Sequence, residues 1–181
     1  MSRTGGTWAE RYRNTQGGAF SEAKHQIEFW DYAPPQEYFD ELFRVSKNQI
    51  IWGGNYFRLP PCRCFLIWRK LTISESFTMA MAEYAWTSFN LNAKVFECAP
   101  QGSANDPRFH PTQKPVRLYK WVLSNFAEKG MKILDTHGGS MSSAVAAWEL
   151  GLDLDICEVN EFYFSKGKAR VEKAMRQPTL F

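Results

Sequence analysis

Residues 131–142, reading Met-Lys-Ile-Leu-Asp-Thr-His-Gly-Gly-Ser-Met-Ser, set a short apolar run directly ahead of two glycines and a serine-rich helix start. Met131, Ile133 and Leu134 suit a central parallel strand, which is covered on both faces and so shows no polar alternation. Gly138 and Gly139 permit a tight turn and a close approach of backbone to a ligand. Ser140 or Ser142 can cap a helix carrying Ala144, Val145, Ala147, Trp148 and Leu150, which Gly151 ends. A second apolar strand, Leu152 to Cys157, finishes on Glu158. A carboxylate about 20 residues beyond such a turn is where doubly wound folds hold ribose hydroxyls. The pattern is that of a nucleotide cradle, and an ordinary βαβ unit whose glycines serve packing alone shares it. The spacing is not GxGxxG, which disfavours a dinucleotide dehydrogenase.

At 181 residues the chain is long enough for one domain with a real core. Its net charge of +3 neither requires nor excludes a nucleic-acid partner. Arg58, Arg63, Arg69 and Lys70 follow one another with no acidic residue among them, and Lys114 and Arg117 add to the segment Arg108 to Lys120, so local basic surface is expected. Cys62, Cys64, Cys98 and Cys157 lack paired CxxC spacing, which argues for reduced, buried thiols rather than a structural zinc site. With no signal peptide and no apolar run of membrane-spanning length, the expectation is a cytoplasmic protein without a membrane partner.

Along the chain, residues 1–34 form a glycine-rich loop and 35–99 a helix followed by short strands. The helix runs from Gln36 to about Ser46, with Tyr38, Phe39, Leu42, Phe43 and Val45 as its apolar stripe. Strands are expected at Gln49 to Trp52, Cys64 to Trp68, Tyr84 to Phe89 and Lys94 to Cys98. A loop over 100–109 precedes residues 110–176, where two helices and two strands alternate around the glycine turn, and a helix basic on its outer face runs from Phe162 to about Met175. Residues 177–181 are a tail. Alternation in the final third implies a parallel sheet, and the middle strands an antiparallel edge.

Three stretches occur together: His110-Pro111-Thr112-Gln113-Lys114-Pro115, the Asp135 to Ser140 turn, and Ala85-Trp86-Thr87-Ser88-Phe89. With the helix and strand from Tyr38 to Asn55, they resemble the amino-group (N6-adenine or N4-cytosine) DNA methyltransferases of the permuted class, whose cofactor motifs lie C-terminal, and in particular the small phage-type members. The resemblance covers about residues 30 to 175. It implies an α/β fold, the Rossmann-like fold of S-adenosylmethionine-dependent methyltransferases, with a mixed, mostly parallel sheet and helices on both faces. It further implies that Asp135, Thr136, His137, Gly138, Gly139 and Ser140 wrap the methionine part of S-adenosyl-L-methionine, that Glu158 holds its ribose hydroxyls, and that the backbone around His110, Thr112 and Lys114 closes over its amino-acid end. Met141 stands where many relatives place glycine, which is harmless if it is the first helical residue. The implied partner is double-stranded DNA, in a bacterial or phage setting that includes restriction-modification systems. Target reading is expected from residues 1–30 and 91–109, with Trp8, Tyr12 or Phe20 against a flipped base.

The catalytic signature of that family is an acidic or amide residue, two prolines and an aromatic at a strand end. Asp31-Tyr32-Ala33-Pro34-Pro35-Gln36 does not supply it: no apolar strand precedes, Gln36 replaces the aromatic, and the prolines lead straight into a helix. The expectation is a chain truncated at its N-terminus, by degeneration or by a misassigned start. It would lack the strand that carries the tetrapeptide and leave a gap or exposed edge that a partner or a second copy fills. The expected function is methyl transfer to the exocyclic amine of a flipped base, most readily adenine. The alternative is a catalytically incomplete cofactor- or DNA-binding module. The tail Gln177 to Phe181 resembles peptides that dock on the replication sliding clamp.

Overall fold

Pro35 stands at the N-cap of the first helix, α1 (Gln36–Val45), where a proline's fixed φ suits the helix start. Phe39 is its buried anchor, while Val45, expected in the stripe, is about half exposed. The computed structural model describes residues 33–77, 79–100 and 106–177. Residues 1–32, with Trp8, Tyr12 and Phe20, and residues 178–181 of the tail lie outside the described residues.

The middle of the chain forms a four-stranded sheet of β1 (Ile50–Trp52), β2 (Phe65–Arg69), β3 (Ala82–Thr87) and β4 (Lys94–Glu97), in the order β1-β3-β2-β4. β3 runs antiparallel to β1 and β2, setting Ile51 opposite Trp86 and Leu66 opposite Ala85. β2 and β4 are parallel. β5 (Lys132–Asp135) and β6 (Asp153–Ile156) make a second, parallel pair with Ile133 opposite Leu154. The mixed α/β class is as expected, with a larger antiparallel share. Among the described residues no ladder joins the two sheets, so the expected discontinuity is present.

Helices cover both faces of the larger sheet. Phe39 of α1 packs on Ile51 and Trp86, and Val122 of α2 (Val116–Phe126) packs on Cys64, Leu66 and Ala85 from the other side. The neighbouring Leu123 points elsewhere, to Ala146 and Ala147 of α3 (Ser142–Leu150), with Ile133 and Leu154 of the small sheet beside them. One helix therefore faces both sheets. The last helix, α4 (Glu161–Arg176), is capped by the Asn160 side chain, which accepts from the Tyr163 N–H at 3.1 Å.

Three expectations need correction. Leu134 and Met131 are close to half exposed rather than buried, since β5 has a strand partner on one edge only among the described residues. Cys157 is exposed, although the other cysteines are buried or partly so. Neither Ser140 nor Ser142 caps α3. The N-cap is Met141, at φ 56° and ψ 32°, a left-handed conformation that costs a non-glycine residue roughly 1–2 kcal/mol. Met141 is therefore not a harmless first helical residue, and glycine would sit there without strain.

Burial compensates for that strain. Met141 is 3% exposed, and its side chain fills the space over Gly167 of α4, where an added Cβ would lie 2.7 Å from Met141 Cγ and 2.9 Å from Sδ. Gly167→Ala is expected to destabilise the chain by about 1–2 kcal/mol, overpacking outweighing the gain in helix propensity. In a Met141→Gly background the same change becomes neutral or stabilising. Urea unfolding of the four members of that cycle checks both, and simple additivity would contradict the assigned contact.

Candidate functional site

The glycine turn hangs between β5 and α3, held by its own side chains. Asp135 Oδ1 accepts the His137 N–H at 3.1 Å, and Oδ2 accepts from the Ser143 hydroxyl. Gly138 N–H bonds the Cys157 carbonyl at 2.7 Å, pinning the turn to the end of β6. A Cβ on Gly138 would meet Ile156 Cγ1 at 3.0 Å, and one on Gly139, at φ 52°, would meet the His110 ring at 3.3 Å. Both glycines are thus required by the packing of the protein on itself. Glu158 reaches back across the turn, Oε2 accepting the Gly139 N–H at 2.6 Å and Oε1 the Asn160 N–H at 2.8 Å.

The segment His110 to Pro115 packs against this turn. The His110 ring, 7% exposed, lies over Gly139 and makes an edge contact with Tyr163 at 4.3 Å. Its Nδ1 faces the Thr112 N–H at 3.2 Å and the Thr112 hydroxyl at 3.1 Å. Burial, reinforced by the charges of Lys114 and Arg108, pulls the imidazole down to about 4, so it is neutral near pH 7. Gln113 ties the segment together by accepting from the Phe109 and His110 N–H groups. The Lys114 carbonyl accepts from Ser142 Oγ at 2.7 Å, joining the segment to the start of α3. Its side chain turns away, ion-paired to Glu83 at 3.1 Å and set over the Trp52 ring.

The structure therefore brings Asp135, Thr136, His137, Gly138, Gly139, Ser140, Glu158, His110, Thr112 and Lys114 into one region. It also adds residues that sequence reasoning missed. Arg170, from the helix read as basic on its outer face, is only 10% exposed. It donates to both oxygens of Asp106 at 2.6 Å, to the Ser140 carbonyl at 2.7 Å and to Ser142 Oγ at 2.8 Å, clamping the turn from behind. Tyr38 belongs by spacing to an apolar stripe, yet its hydroxyl lies 2.7 Å from Thr136 Oγ1 and 3.4 Å from His137 Nδ1. The available signal was that a packed tyrosine needs a partner for its hydroxyl. The expected basic surface is also reduced, since Lys70 is buried against Glu83 and Arg69 pairs with Glu97.

The donor set fits a nucleoside with an amino-acid end. The Glu158 carboxylate, already bonded to two N–H groups, keeps further acceptor capacity for hydroxyls. Val159 beside it is 93% exposed, an apolar surface next to a polar one. The Tyr163 hydroxyl, buried near Glu158 and His110, has no hydrogen-bond partner. A separate cavity of about 430 Å³, lined by Phe57, Leu59, Cys62, Tyr84 and Trp86, includes no residue of the glycine turn.

The proteins this chain is similar to are methylases, and those of solved structure are DNA methyltransferases. A protein of Escherichia coli K12 described as "Putative methylase YubD" is 26% identical over 159 residues, covering 76% of this chain and 70% of that protein. The M1.HpyAVI–SAM complex matches at 23% identity with a TM-score of 0.45, over 59% of this chain and 60% of that one. A DNA modification methylase of Thermus thermophilus matches at 17% identity and a TM-score of 0.44, over 63% of this chain and 56% of that one. The chain thus spans less than two thirds of the length of those two structures. No family model matches it.

His110 makes the site sensitive to acid. Its imidazole titrates near 6.5 when unfolded and near 4 when folded, so the unfolded chain binds the extra proton first. Stability is complete above about pH 6.5 and falls as the pH drops toward 4, by up to about 3 kcal/mol. Glu83 adds to the loss at lower pH: burial pushes its carboxyl up, but Lys114 and Lys70 together hold it below the usual range. Denaturant midpoints measured from pH 7.5 to 4.5 are expected to fall steeply for the native chain and more shallowly for His110→Gln. Parallel slopes would show that His110 is not the group responsible.

Proposed function

We propose that this chain carries the cofactor-binding part of a DNA methyltransferase that uses S-adenosyl-L-methionine and acts on the exocyclic amine of a flipped base, adenine by preference. The observation that carries this reading is the joint closure of Glu158 and His110 on the Asp135–Ser140 turn, with the Lys114 carbonyl fastened to the start of α3. S-adenosyl-L-methionine, when bound, supplies a sulfonium-activated methyl group. The protein's part in such a transfer is alignment and electrostatic preorganisation. Glu158 would receive the ribose hydroxyls, and the Asp135–Ser140 turn together with His110, Thr112 and Lys114 would enclose the methionine portion. Neutral His110 adds no positive charge beside a cationic donor, which favours binding. The surrounding ties, Arg170 to Ser140 and Tyr38 to Thr136, hold the turn in shape before the ligand arrives.

A second reading, a cofactor- or DNA-binding module that works with a partner chain, is favoured by the separation of β5–β6 from the larger sheet among the described residues. No helix among those residues is long and apolar enough to cross a membrane.

Calorimetric titration of the full chain with S-adenosyl-L-methionine, alongside transfer of labelled methyl groups to duplex DNA, separates the readings. Binding with transfer supports the enzyme, and binding without transfer supports the module. Glu158→Ala is expected to weaken donor binding tenfold or more, since about 1.5–3 kcal/mol is typical of hydrogen bonds to a charged group. A native chain with no affinity for the donor would refute the cofactor reading.

A further inference from the structure

Lys70, Glu83 and Lys114 form a charge cluster that the reading above leaves largely unused. Lys70 follows β2, Glu83 lies at the start of β3 and Lys114 lies just ahead of α2, three elements distant in sequence. Lys70 Nζ is 2.7 Å from one Glu83 oxygen and Lys114 Nζ is 3.1 Å from the other. Each ammonium also stands over an indole, Lys70 on Trp68 at 5.2 Å and Lys114 on Trp52 at 5.3 Å. Lys70 is 6% exposed and Lys114 15%, while the Glu83 side chain is 32% exposed. Among the described residues neither lysine has a second carboxylate in its ion pairs.

Two cations then share one anion in a place where water screens poorly. A surplus positive charge held against two indole rings is stabilised by a further anion. The cluster also has a meaningful position. β1 and β2 both run antiparallel to β3, so the end of β1 at Trp52, the end of β2 before Lys70 and the start of β3 lie at one edge of the sheet. That is the carboxyl edge, where open α/β sheets receive ligands. Tyr119 of α2 feels the charges of both Asp135 and Glu83, which, beyond burial, hold its hydroxyl above the usual phenol range. The cluster and the glycine turn therefore flank the same side chain.

We infer that Lys70 and Lys114, bridged by Glu83, are a seat for one oxyanion of the ligands handled at this edge. Resting on the methyltransferase reading, the oxyanion is the carboxylate at the amino-acid end of the methyl donor or a phosphate of the DNA backbone. Glu83 is the positioning residue. It keeps the two ammonium groups close enough to be shared and tethers the His110–Pro115 segment to the larger sheet.

The test uses the full chain, Lys70→Met and Lys114→Met, which retain apolar contact with the tryptophans. The probes are S-adenosylhomocysteine, methylthioadenosine, which lacks the amino-acid end, and a short DNA duplex. A carboxylate seat predicts that each variant loses about tenfold or more in affinity for S-adenosylhomocysteine and nothing for methylthioadenosine. A phosphate seat predicts unchanged nucleoside binding, weaker duplex binding, and a salt dependence reduced by about one counterion. Thermal melting accompanies each measurement. Unchanged affinity for both S-adenosylhomocysteine and the duplex overturns the seat, as does an equal loss for both nucleosides, which would report general damage. A native chain that binds the duplex and neither nucleoside overturns the cofactor reading and leaves the duplex measurements to decide the seat. One that binds none of the three probes overturns both.

Discussion

The fold depends on α2 facing two ways. No backbone ladder joins the four-stranded sheet to the β5–β6 pair among the described residues, so side chains do the joining. Val122 and Leu118 look to the larger sheet, against Leu66, Ala85 and Trp68, while Leu123 looks to α3 and the small sheet. Ladder hydrogen bonds would fix register as well as distance. Apolar packing fixes distance and leaves register to polar contacts, and the polar contacts that cross this joint are few: Tyr38 to Thr136, and Ser142 to the Lys114 carbonyl. Both end on the segments assigned to the cofactor. Shape at the site and the alignment of the two sheets are therefore one problem, and a ligand held by both segments would stabilise the joint by mass action.

Much of this was legible in the chain because local rules and tertiary packing agree. Gly151 ends α3 with φ 65°, as a glycine after an apolar helix should, and the strand, turn, helix and strand order around Gly138 follows from apolar runs and turn chemistry. Failures came where a side chain answers to a distant partner. Met141 adopts a conformation that local propensity opposes, because the space over Gly167 rewards its burial. Arg170 and Lys70 read as surface charge in the sequence, but Asp106 and Glu83, 64 and 13 residues away, enclose them. Charge periodicity cannot reveal such pairings, since an ion pair across elements has no period.

The site shows the same division. Position along the chain placed Glu158 at the strand end, but not its use there. In the structure its carboxylate is already engaged with the N–H groups of Gly139 and Asn160. A hydroxyl-bearing ligand would share that carboxylate with the turn rather than find it idle. Preorganisation of this kind lowers the cost of binding, because the acceptor is fixed before the ligand arrives.

The glycines, which make the turn conspicuous in the sequence, are weak evidence for a ligand. Gly138 is required by Ile156 and the Cys157 carbonyl, and Gly139 by the His110 ring and its positive φ. A chain with no cofactor would need both. What points outward is charge and unsatisfied polarity: acceptor capacity at Glu158, a buried Tyr163 hydroxyl without a partner, and two ammonium groups sharing one carboxylate at the carboxyl edge of the larger sheet. Self-packing explains glycine, but it does not explain a surplus of buried charge. The case for a bound nucleoside or phosphate therefore rests on Glu158, Tyr163 and the Lys70–Glu83–Lys114 cluster more than on the glycine motif.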